Sequence, residues 1–72
     1  MNKHTSKVIE LMKIGFNVSV DASKCEEDID EILEIAKMLN TTIVLRNPPK
    51  SMLNEQSLKK LKGHSHKIII EL

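Results

Sequence analysis

Seventy-two residues, 40% of them hydrophobic and 29% charged, describe one small globular domain and leave too little chain for a second. A lone aromatic, Phe16, argues against stacking platforms for nucleic-acid bases and against sugar sites built on aromatic faces. The net charge of +1 hides an asymmetry, because residues 1–40 hold five lysines against eight acidic side chains, whereas residues 41–72 hold six basic side chains against Glu55 and Glu71. Two solvated helix faces of opposite sign account for this; a bipolar surface for a charged partner is the sharper reading.

In chain order, residues 1–5 form a polar lead-in, and Thr5 or Ser6 offers a side-chain oxygen to the free N–H groups of a helix start. The spacing predicts a first helix over 6–14, with Val8, Leu11, Met12 and Gly15 on one face and Ile9 and Ile14 on its flanks. Gly15 supplies a left-handed stop, and Phe16 follows to cover it. Val18 to about Asp21 reads as the first strand. Ser23 and Glu26 then have capping-box spacing, and acidic residues crowd the next turn, so a second helix is expected over 24–39. Its buried stripe is Ile29, Ile32, Leu33, Ala36 and Leu39, and Asn40 ends it. Ile43 to Arg46 is the second strand. Asn47-Pro48-Pro49 forces an extended bend. Ser51 or Asn54 caps a short third helix with Leu58 and Leu61 inward, helped by Met52 or Leu53, and Gly63 stops it. A loop, Gly63-His64-Ser65-His66, and Lys67 lead into a third strand, Ile68 to about Glu71.

The three strand segments recur at a constant interval of 25 residues, each aliphatic at its first and third positions and charged at its fourth. Helix ends precede all three: VIELMKIGFN, LEIAKMLNTT and LKKLKGHSHK. Parallel strands joined by helices are connected right-handedly, so similar connections set the strands side by side with every helix on one face. Val18, Val20, Ile43, Leu45, Ile68 and Ile70 then face the helices. Ser19, Asp21, Val44, Arg46, Ile69 and Glu71 face away. The order 1-2-3 sets Arg46 between Asp21 and Glu71, whereas 2-1-3 sets Asp21 beside Glu71; the sign of the cross-strand interaction favours 1-2-3. The expected fold is α/β, a two-layer α-β-α-β-α-β domain over 1–72 with a three-stranded parallel sheet and a solenoid-like 25-residue repeat, in units of roughly 1–21, 22–46 and 47–72.

Such repeating α/β units resemble leucine-rich-repeat solenoids, and DAS…DIDEILEIA…TIVLRN resembles short bacterial α/β repeat proteins of that kind over residues 18–72. The pattern L-x-x-L-x-L-x-x-N of that family is absent from both connections. The resemblance implies parallel strands lining one face and carries no activity.

Little assembles into chemistry. His64 and His66 form an H-x-H, but no spacing brings a third ligand to them, so a polar loop outweighs a metal site. Cys25 lies at a helix start, where the dipole favours a thiolate, yet Glu26, Glu27 and Asp28 oppose it; a packed small residue outweighs a nucleophile. Gly15 and Gly63 are helix stops, not a phosphate loop. Neither cofactor nor metal is implied. The single cysteine and the lack of an apolar leader predict a cytoplasmic protein, with secretion by a route that uses no leader left open.

The face away from the helices is the least inert surface. Ser19, Val44 and Ile69 lean apolar beside Asp21, Arg46 and Glu71, and an outer strand of consecutive aliphatics needs protection. The expectation is a non-enzymatic protein-interaction module, self-associating as a homodimer or binding one partner protein, with Lys24, Asn47 and Lys50 at the strand ends joining the contacts. The alternative is weak nucleic-acid binding through Lys59, Lys60, Lys62 and Lys67.

Overall fold

The computed structural model describes residues 2–64 and 67–72. Its first helix, α1 (Lys3–Ile14), begins earlier than the sequence suggests. Asn2 caps it, accepting the Thr5 N–H on Oδ1 at 2.8 Å. Thr5 and Ser6 therefore lie inside the helix, and Thr5 is fully buried. Gly15 ends α1 at φ 120°, its N–H donating to the carbonyls of Leu11 and Met12. Ile14 and Phe16 are exposed, so the aromatic ring does not cover that helix end.

β1 (Val18–Asp21) leads into two 3-10 turns, Ala22–Lys24 and Glu26–Asp28, before α2 (Ile29–Leu39). The expected helix over 24–39 is thus shortened, and the capping box does not form. The Ser23 N–H and hydroxyl both donate to Asp21 Oδ1, while Glu26 accepts the Ser51 hydroxyl at 2.9 Å. An ionised acceptor two residues upstream closes a tighter ring than the reciprocal box. Cys25, at φ −136°, also breaks the helical run. Ile29, Ile32, Leu33 and Ala36 are buried as expected, whereas Leu39 is exposed at the last turn. Asn40 adopts the left-handed conformation (φ 57°) that ends α2.

β2 (Ile43–Arg46) is followed by a bend at Asn47 and a 3-10 turn, Lys50–Met52, that buries Met52. Asn54 caps α3 (Glu55–His64) by accepting the Ser57 N–H. Gly63 lies within α3 and does not stop it. Leu61 is buried and Leu58 packs half-buried against the core. Ser65 and His66 of the expected loop fall outside the described residues.

The sheet is parallel in the order β1-β2-β3, with β3 at Ile68–Glu71. Val18 pairs with Ile43 and Ile43 with Ile68, so the 25-residue interval of the sequence becomes the register itself. The three lead-ins differ, with two 3-10 turns before α2, one before α3 and none before α1 among the described residues. α1 packs on α2 and α2 on α3, forming one helix layer over one core. The shortest dimension, 19 Å, fits one helix layer and one sheet layer of about 10 Å each, not a second helix layer. Val18, Val20, Ile43 and Leu45 are buried beneath the helices. Ile68 is only half-buried and Ile70 is 36% exposed, because α3 lies towards α2 and leaves the outer strand thinly covered. No helix among the described residues is long and apolar enough to cross a membrane.

Candidate functional site

Strand alternation builds the face opposite the helices in two rows. Ser19, Val44 and Ile69 are aligned across the three strands, and Asp21, Arg46 and Glu71 form the next row. Ile69 is 55% exposed, Val44 and Arg46 are half-buried, and Ser19 and Glu71 are open to solvent. The Arg46 Nε–H donates to Ser19 Oγ at 2.7 Å, tying β2 to β1 across this surface.

The register of Asp21, Arg46 and Glu71 is the one their charges favour, but among the described residues no ion pair joins Arg46 to either carboxylate. Asp21 is the buried member of the set, folded back over the turn after β1. The Ser23 hydroxyl, above all, holds its carboxyl below the usual range; burial opposes this, while the Ser23 N–H, Asn47 and the charge of Lys24 reinforce it.

Lys24, Asn47 and Lys50 follow the carboxyl ends of β1 and β2, all exposed, with Asn47 in the left-handed region at φ 49°. Two residues of the polar lead-in, assigned no role from sequence, also arrive here. Asn2 Nδ2 donates to the Lys24 carbonyl at 2.8 Å, and His4 Nε2 accepts the Asp21 N–H at 3.3 Å. A cap-type side chain at Asn2, three residues before Thr5, was the available signal. His4 had none, since its partner is 17 residues away and set by the docking of α1.

The two edges of the sheet consequently differ. In β1, Val18 and Val20 turn their backbone groups to β2, as the Val18 N–H donating to Thr42 shows, so Ser19 and Asp21 turn theirs outward. His4 covers the outward Asp21 N–H, and α1 flanks this edge across a groove of about 330 Å³ bounded by Leu11, Phe16 and Asn17. In β3, the Lys67 carbonyl accepts the Ile43 N–H, so Ile69 and Glu71 face β2 while Ile68 and Ile70 present N–H and C=O outward. Among the described residues, no element lies along that edge.

Cys25 is buried, its thiol donating to the Asp21 carbonyl at 3.3 Å. Desolvation first, then the negative charges of Asp21 and Asp28, push the thiol up to about 11, so it is a neutral packed group at ordinary pH. Among the described residues, no three His, Cys, Asp or Glu side chains are grouped to hold a metal ion. The lysines form no single stripe. Lys59 pairs with Glu55 and Lys60 with Asp30 of α2, while Lys62 is exposed further along α3. Lys67 lies before β3, with Nζ 3.4 Å from the Asn40 carbonyl. No family model matches the chain, and neither a curated protein nor a solved structure matches it.

Proposed function

We propose that the protein is a small non-enzymatic interaction module of the cytoplasm, using the open sheet face and the outer strand to self-associate or to bind one partner protein. The observation that carries this reading is the uncovered row Ser19, Val44 and Ile69, which runs across the sheet into a strand whose outer backbone groups have nothing beside them among the described residues. Both features expose what a small domain ordinarily protects. Arg46, Lys24, Lys50 and Glu71, with the polar amide of Asn47, supply a polar and charged rim around the apolar row, the usual arrangement of a contact surface. Asp21 serves this surface by shaping the turn beneath Lys24. The one cysteine, reduced and buried, suits a reducing compartment.

The test is sedimentation of the chain over a wide concentration range, with capture of proteins from its host, for the wild type and for Val44→Lys combined with Ile69→Lys. The expected result is association in the wild type and its loss in a variant that keeps native circular dichroism. A wild type that stays monomeric at millimolar concentration and captures no protein that the variant fails to capture would overturn the reading. So would steeply salt-dependent binding to oligonucleotides that is lost on changing Lys59, Lys60 and Lys62 to Glu, since the contacts would then lie on α3.

A further inference from the structure

We propose that a second copy of this chain pairs antiparallel with β3 about a two-fold axis at Ile69, joining two three-stranded sheets into one of six strands. This rests on the interaction reading above and names its partner and register. The backbone gives the first reason. Ile68 and Ile70 direct N–H and C=O away from β2, and an antiparallel neighbour with the same pair outward completes all of these bonds. The edge carries none of the usual guards: Ile68, Ile69 and Ile70 are consecutive aliphatics with no proline, bulge or charge between them. The opposite edge is guarded, by His4 on the Asp21 N–H and by α1 alongside.

Charge selects the register. With the axis at Ile69, Ile68 lies opposite Ile70 of the second copy, and Lys67 lies opposite its Glu71, twice by symmetry. Ile69 and Glu71 share the open face by alternation. Lys67, just before β3, holds its ammonium 3.4 Å from the Asn40 carbonyl and exchanges that contact for Glu71 of the second copy, so that both ion pairs flank a central Ile69–Ile69 contact. Moving the axis to Ile70 sets Glu71 against Ile69, and moving it to Glu71 sets like charges against each other. The same register covers Ile70, which α3 leaves 36% exposed, with Ile68 of the second copy.

The experiment combines sedimentation with a designed cross-link. Glu71→Lys should weaken dimerisation about tenfold or more by placing two lysines opposite each other, and Lys67→Glu combined with Glu71→Lys should restore it. Ile69→Cys should form a covalent dimer under mild oxidation, since a non-hydrogen-bonded antiparallel pair sets Cα atoms about 4.5 Å apart, within disulfide reach. Ser19→Cys, on the guarded edge, should not. Buried Cys25 does not compete for the oxidant. A dimer that is indifferent to Glu71→Lys, and that gives no covalent species when it carries Ile69→Cys, refutes the proposal. If Glu71→Lys fails to fold, the cross-link decides alone. A wild-type monomer that binds another protein through the Val44 and Ile69 face refutes the pairing and leaves the interaction reading standing. A monomer that binds nothing removes both.

Discussion

Thr5 and Thr41 are both buried, and their hydroxyl groups have opposite fates. Thr5 Oγ1 donates to Asp28 Oδ2 at 2.9 Å, tying α1 to the start of α2, whereas Thr41 Oγ1 has no partner among the described residues. Removing a satisfied donor from a charged acceptor costs about 1.5–3 kcal/mol, while removing an orphaned hydroxyl relieves a desolvation cost. Thr5→Val should therefore destabilise the fold by that amount, and Thr41→Val should leave stability unchanged or raise it by up to about 1 kcal/mol; urea midpoints for the two variants check both signs. Cys25 gives a pH dependence. A thiol whose folded-state pKa is raised from 9.0 to about 11 contributes stability that is complete below the lower value and is lost as pH climbs to the upper one. The alkaline fall in denaturation midpoint should be shallower for Cys25→Ala than for the wild type in that window, although the variant starts lower through lost packing. An equal slope in the two proteins would show that the thiol titrates in the folded chain as it does in the unfolded one.

At the level of elements, the helix ends matter more than the helix bodies. Asn40 holds φ 57° so that its own N–H and that of Thr41 reach back to Lys37 and Ala36. Alanine there strains the left-handed backbone by about 1–2 kcal/mol, whereas glycine adopts it without strain. Asn40→Ala should lower Tm by about 4–8 °C per kcal/mol lost, and Asn40→Gly by much less, as thermal melts monitored by circular dichroism would read. Asn40 was legible in the sequence because an αL-tolerant residue follows a complete apolar stripe. The three strands and their register were legible, with the ends of the first and third only approximate, since a buried parallel strand needs inward aliphatics at alternate positions and the interval of 25 repeats that need. The start of α2 was not, because Ser23 sits within reach of two acceptors and spacing alone does not rank Asp21 above Glu26. The gap at Ile70 was hidden for a related reason. Periodicity says which way a side chain points, but only the lateral position of α3 decides whether anything covers it.

Across the whole molecule, the open face is where sequence reading and geometry meet least completely. The signs of Asp21, Arg46 and Glu71 pointed to the strand order, and the register sets them in a row, yet Arg46 uses its Nε–H on Ser19. Contact is not required for sign to matter, because a charge held on a solvated sheet acts over roughly a Debye length, about 10 Å at moderate salt. Arg46→Glu puts three carboxylates in one row and removes the tie to Ser19. Two like-charge neighbours and one lost hydrogen bond sum to roughly 1–3 kcal/mol of destabilisation at low salt. The electrostatic share should vanish in molar salt, where the Debye length falls to about 3 Å, leaving only the hydrogen-bond share. Arg46→Gln separates the two, because it loses the attractions to Asp21 and Glu71 without adding repulsion, so the salt-dependent part of its deficit should be about half that of Arg46→Glu. Denaturant midpoints for the three proteins at both ionic strengths give the answer. If Arg46→Glu loses the same stability at every salt concentration, the charges on this face do not communicate, and the order of the strands rests on the helix connections alone.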